Sequence, residues 1–136
     1  MTVSESIISW LKTFDSKKLK KIDTDIQSTD NYSYSLVKEP VQNIKSFLSG
    51  KKVYTDHYMI QARLPSQYDT DRINNNGFGE ELESWVREQD TKGNYPAIEG
   101  AKVTEIGITT PFYIGKTDTN NSVYQMTIAI KYEKES

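Results

Sequence analysis

The stretch Val123 to Tyr132, V-Y-Q-M-T-I-A-I-K-Y, alternates apolar and polar residues with a period of two. Successive strand side chains point to opposite faces, so Tyr124, Met126, Ile128, Ile130 and Tyr132 line one side while Gln125, Thr127 and Lys131 line the other. Such a strand buries one face and wets the other. It needs a hairpin neighbour and a helix over its apolar side, and the rest of the chain supplies both.

Immediately upstream, Lys102 to Thr110 reads as a strand with Ile106 and Ile108 on the core side. Pro111 to Ser122 reads as a loop, ending in the turn-rich run T-D-T-N-N-S. Before it, Phe78, Leu82, Trp85 and Val86 share one helical face, with Glu80, Glu81, Glu83, Arg87 and Glu88 mostly on the other. Asn74, Asn75 and Asn76 are placed to cap this helix, which runs to about Gln89, and Gly93-Asn94-Tyr95-Pro96 ends it. It is the expected cover of the sheet, with Trp85, Phe78 and Leu82 over Ile128, Ile130 and Ile106.

Further back, Tyr54, Tyr58, Ile60, Ala62 and Leu64 alternate with Thr55, His57, Gln61 and Arg63 along a long strand. Val41 to Leu48 fits either a helical turn or a strand by its own spacing, and the turn signal Ser49-Gly50-Lys51 favours a β-hairpin. Tyr32, Tyr34 and Leu36 keep strand spacing up to Pro40, which is expected to break it. Ile22 and Ile26 flank an acidic D-T-D. At the start, Thr2-Val3-Ser4-Glu5 has the spacing of a capping box, and Val3, Ile7, Trp10, Leu11 and Phe14 share the core face of a first helix. Lys17, Lys18, Lys20 and Lys21 follow as a solvated cluster. The expected fold is α+β in a single domain over residues 1–136: an antiparallel β-sheet with a long hairpin, covered on one face by two α-helices.

Composition narrows the function. The chain has 136 residues, enough for one domain with its own core. Its 17 basic and 19 acidic residues give a formal net charge of −2, not the footprint of a protein that grips DNA or an anionic membrane. The absence of cysteine excludes disulfides, thiolate nucleophiles and cysteine zinc sites. The opening M-T-V-S-E-S lacks the basic and apolar regions of a secretory signal, and no run of about eighteen apolar residues could span a membrane. A soluble protein made in a cytoplasm is expected. Nine tyrosines and two tryptophans exceed a minimal core, and such rings are enriched at interfaces.

No catalytic, cofactor or metal site is expected. His57 is the sole histidine, so one chain can build neither a triad nor a multi-histidine metal site. Asp23 with Asp25, and Asp69 with Asp71, have D-x-D spacing without the glycine and glutamate of a calcium loop, and are read as solvated carboxylates. Gly77-Phe78-Gly79 is too short to cradle phosphate. What stands out is a pair of protruding tips, Ser49 to Lys52 and Pro111 to Ser122. They nominate Ser49, Gly50, Lys51, Lys52, Phe112, Tyr113, Ile114, Asn120 and Asn121 as an oligomer or partner interface. The competing reading is that the tyrosines fill the core and the loops are idle.

A family pattern runs through the same residues. Asn74, Phe78, Glu80, Leu82 and Trp85 to Gln89 form N-x-x-x-F-x-E-x-L-x-x-W-V-R-E-Q; Gly93 to Ile98 follows as G-N-Y-P-A-I, and Tyr124-Gln125-Met126 opens the last strand. In this order they resemble the minor capsid or tail terminator proteins of phages and prophages of Gram-positive bacteria, similar in role to the lambda tail terminator. The resemblance covers nearly the whole chain, departing at the Leu48-Ser49-Gly50 turn and at Met126. It implies a virion protein at the head-proximal end of the tail, assembled in the host cytoplasm. There a homo-hexameric ring would cap the tail tube protein, stop its polymerisation and join head-completion or connector proteins, with genomic DNA only passing through the lumen. No membrane enters this picture. Two alternatives are a head-completion or connector protein at the head–tail interface, and a small carboxylate-dependent enzyme.

Overall fold

The computed structural model describes residues 2–14, 22–24, 33–117 and 120–134. Its elements run α1 (Val3–Leu11), β1 (Ile22–Thr24), β2 (Ser33–Ser46), β3 (Lys52–Pro65), α2 (Asp69–Lys92), β4 (Lys102–Thr117) and β5 (Asn121–Lys134). The strands make one sheet in the order β1-β2-β3-β5-β4. All neighbours are antiparallel except the short β1, which pairs parallel with Tyr34–Leu36 of β2. Lys17, Lys18, Lys20, Lys21, Asp25, Ile26 and Tyr32 lie outside the described residues.

The organising strand behaves as its alternation requires. Tyr124, Met126, Ile128, Ile130 and Tyr132 are all buried, and β5 is flanked on both sides, by β3 and β4. On β3, Tyr58, Ile60, Ala62 and Leu64 share that face, opposite Ile128, Met126, Tyr124 and Ser122. Leu82, Phe78 and Val86 of α2 close over them, together with Ile7, Trp10 and Leu11 of α1. The α+β architecture with helices on one face is as the sequence implies.

Four features differ from the sequence reading. First, α2 begins at Asp69, not near Asn76. Its first turn is held by Asp71, whose Oδ2 accepts from the Tyr68 N–H at 3.3 Å, and Asp69 pairs with Arg72 one turn on. The asparagines therefore lie within the helix. Asn75 is buried there, its Nδ2 donating to the Pro65 carbonyl at 2.7 Å, while Arg72 donates to the Ser66 carbonyl at 2.7 Å. These bonds pin the helix start to the end of β3, which is why the preceding polar run is spent on helix rather than loop.

Second, Pro40 does not break β2. The pairing jumps from Lys38↔Tyr58 to Gln42↔Asp56, four positions along β2 against two along β3, and Pro40 sits inside that bulge. A proline has no N–H to give the ladder, so a bulge is where a strand can hold one. Because the two extra residues are an even number, Gln42 and Ile44 keep the face of Leu36.

Third, Pro111 to Thr117 is strand, not loop: β4 continues to Thr117 against Ser122. The pairing shifts between Thr110 and Tyr113, three positions against two, so Pro111 again occupies an irregularity. With the shift just before it, between Ile108 and Thr110, β4 carries two extra residues here, so Phe112 keeps the inward face of Ile106 and Ile108. Its ring stacks on Tyr124 at 5.2 Å and meets Phe78 edge-on at 5.9 Å. It also lies against Gly79, where a Cβ would fall 2.1 Å from the ring, so only glycine lets the helix come this close.

Fourth, Trp85 is only partly buried and packs in the seam between the helices, 4.7 Å from Trp10 and 5.3 Å from Phe14. Trp10 in turn donates from Nε1 to the Asn94 carbonyl at 2.8 Å, which docks α1 beside the glycine-capped end of α2.

Candidate functional site

The tips nominated from the sequence lie at opposite ends of β3. Lys52 opens the strand and Pro65, opposite Asn121, closes it. At about 3.3 Å per residue the two ends stand roughly 40 Å apart. The nominated residues therefore form two separate patches.

The first patch is the end of the β2–β3 hairpin. Backbone bonds from the Phe47 N–H to the Lys51 carbonyl and from the Gly50 N–H to the Phe47 carbonyl close the turn, with Gly50 at φ 92° where a side chain would be strained. Ser49 and Lys52 are exposed, and Lys51 Nζ lies 3.0 Å from Glu133 Oε1. The residues that dominate this tip were missed by the sequence reading: Phe47 is 43% exposed and Leu48 fully so. Val41 and Ile44 below them are exposed as well. The signal was present in F-L-S-G, since two consecutive apolar residues before a turn cannot both serve one strand face.

The second patch surrounds the β4–β5 connection and is more mixed. Phe112 belongs to the helix–sheet seam. Tyr113 is exposed and its hydroxyl donates to Gln125 Oε1 at 2.8 Å, while Ile114 beside it is exposed too. Asn120 accepts at its carbonyl from the Ser66 N–H at 2.9 Å. Removing Pro111 to Ser122 would therefore take out paired strand and the Phe112 ring packed against the core.

Sheet edges are the other route to self-assembly. On the β4 edge much is already occupied. The Tyr95 hydroxyl donates to the Thr104 carbonyl at 3.1 Å, Asp90 Oδ1 accepts from the Ile106 N–H at 3.0 Å, and Glu83 Oε1 accepts from the Phe112 N–H at 2.8 Å. The hydrogen bond to Asp90 is the main cause that pushes the Tyr95 phenol up to about 12. On the opposite edge, no strand among the described residues pairs with β2 beyond Leu36.

The tyrosine surplus is largely a matter of core. Tyr34, Tyr58, Tyr124 and Tyr132 are buried, and only Tyr68 and Tyr113 are exposed among the described tyrosines. Burial and a 2.8 Å bond donated to Asp56 Oδ2 hold the Tyr132 phenol well above its ordinary range. Asp56 is itself buried and also accepts from Gln42 Nε2, so this carboxyl is locked into the base of the projecting hairpin, on the face opposite His57. Asp69 and Asp71 serve the start of α2. No group of three or more histidine, cysteine, aspartate or glutamate side chains converges among the described residues. No helix among them is long and apolar enough to cross a membrane.

On the outer side of α2 runs a groove lined by Phe14, Gly77, Glu80, Glu81, Ser84, Trp85 and Glu88. Glu88 pairs with Lys92, whereas Glu80 and Glu81 have no cationic partner among the described residues. No known protein family matches the sequence, and no curated protein matches it.

Proposed function

We propose that this chain is a structural virion protein that closes a hexameric ring on the end of a phage tail tube and presents it to head-completion proteins. The observation that carries the reading is the end of the β2–β3 hairpin, which extends past the helix-covered core and ends in exposed Phe47 and Leu48. A ring needs contacts between two unlike patches that close by rotation. The β2–β3 turn, held at the end of the sheet with Phe47 and Leu48 exposed, supplies one such patch. The resemblance across Asn74 to Gln89, Gly93 to Ile98 and Tyr124 to Met126 supplies the direction, toward tail terminators. The unexposed tyrosine core weakens one earlier motive for an interface; the hairpin end replaces it with a stronger one.

Electron microscopy of phage particles carrying the tagged chain tests this. Label at the head-proximal end of every tail is expected. Label on the head before tails join would move the chain to the connector class, and particles free of label would overturn a virion role.

A further inference from the structure

We propose that the Phe47–Leu48 tip of one copy seats in the groove on α2 of the next copy, and that this head-to-tail contact forms in the isolated protein as well as in an assembly. The inference deepens the ring reading and rests on it, since it names the two patches that meet.

The tip is apolar and basic. Between Glu39 and Asp56 the chain carries Lys45, Lys51 and Lys52 and no acidic residue. The Lys45 and Lys51 ammonium groups lie 5.4 and 5.7 Å from the centre of the Phe47 ring, so two cations flank one aromatic knob. The groove is the complement. Phe14 and Trp85 give it an aromatic floor, and Glu80, Glu81 and Glu88 give it acidic walls. Its middle is open among the described residues: none of them lies within 4 Å of where a Cβ on Gly77 would stand, and Ser84 is small.

Three facts favour a second copy as occupant. Leu48 is fully exposed, so the tip does not fill the groove of its own chain. Opposite charges frame apolar centres on both surfaces, which steers encounter and fixes register once the rings are desolvated. The surfaces are also unlike and sit on different elements, so the same contact can repeat from copy to copy around a ring.

The cysteine-free chain makes the contact directly testable. Leu48→Cys and Ser84→Cys variants, mixed at millimolar concentration and oxidised, should give a disulfide-linked dimer that neither variant gives alone. Lys45→Glu with Lys52→Glu, which spares the Lys51–Glu133 bridge, should abolish the dimer. Adding Glu80→Lys and Glu81→Lys on the partner should restore it. No dimer in the mixture, equal dimer from Leu48→Cys alone, or a dimer indifferent to charge reversal would each overturn the contact. The ring reading fails separately. Tails that carry the chain but show no 48–84 link would sink the contact and keep the ring; a charge-dependent dimer from a chain absent from tails would do the reverse.

Discussion

Strand β2 is core at one end and open surface at the other, while its partner β3 stays at least partly covered from Val53 onward. At the base, Tyr34, Leu36, Ile60, Ala62 and Leu64 are buried under the helices. Beyond the Pro40 bulge the alternation continues in register, with Ile44 opposite Tyr54, yet Ile44 is exposed, as are Phe47 and Leu48 in the turn beyond it. Sequence alternation therefore says which face a residue takes, and only the reach of the helices says whether that face is covered. Between the two regimes sits a polar lock, Gln42–Asp56–Tyr132, followed by the Tyr54–Tyr132 stack at 5.3 Å. The open end is thus anchored by hydrogen bonds and ring packing where the core ends.

The contrast can be broken most violently at its covered end. Leu82 is fully buried between the helix and the sheet, so Leu82→Ala should cost about 2–5 kcal/mol in chemical denaturation. Trp85→Ala, which would cost about 3–5 kcal/mol at a fully buried core position, should fall below it, because Trp85 packs in the partly exposed seam against Trp10 and Phe14. The reverse ranking would mean that α2 is held by the seam and not by the sheet.

Next in size is the close approach at Gly79. Alanine gains about 1 kcal/mol of helix propensity over glycine. Here its Cβ would land inside the Phe112 ring, which Phe78 and Tyr124 hold in place. Overpacking of this kind costs about 1–3 kcal/mol, so Gly79→Ala should be net destabilising. In the double variant with Phe112→Ala the two costs should not add. Full additivity would show that the ring moves aside freely.

How much of this was legible follows from which forces were local. The capping box at Thr2, the glycine that ends α2, the β2–β3 turn and the buried face of β5 are set by residues within a few positions of each other, and they read directly. Pro40 and Pro111 misled because each looks like a terminator, while a bulge accommodates it at the level of strand pairing, which a single strand does not display. The start of α2 was misplaced because the Asn75 bond to Pro65 and the Arg72 bond to Ser66 cross from helix to strand end. At the candidate site, Lys51 and Lys52 were legible from the turn. The groove was not, because Phe14 and Trp85 meet only when the helices pack.

The polar lock is the third test. Tyr132→Phe leaves the buried Asp56 carboxyl with the Gln42 amide alone and should cost about 1–2 kcal/mol. The pH response has a definite sign. The Tyr132 phenol is held above the ordinary tyrosine value of about 10, and Tyr95 is raised to about 12. Above about pH 10 the unfolded chain therefore releases these protons while the folded chain retains them. Their stabilisation is complete below that pH and declines as pH rises through the raised values. Denaturation midpoints followed from neutral to alkaline pH should fall above about 10, and less steeply in Tyr132→Phe. An equal fall in both proteins would remove Tyr132 from the account.

The smallest effect is expected at the open end, and it is the one that sharpens the comparison most. Leu48→Ser should change stability by no more than about 0.5 kcal/mol, because a side chain that is fully exposed in the folded chain has no apolar contact to lose. Leu64→Ser, the same substitution at the other end of the same strand pair, removes a fully buried side chain and leaves a hydroxyl in the core. Its cost should reach several kcal/mol, as the lost apolar burial of about 2–5 kcal/mol is joined by an unpaired polar group. Side-by-side urea titrations of the two variants measure the covered and uncovered regimes with one chemical change. If Leu48→Ser proved costly at low protein concentration, the tip would be packed within its own chain and unavailable to a neighbour. If instead it were neutral at low concentration and lowered stability only as concentration rose, the lost contact would lie between copies, since only an intermolecular term scales with concentration.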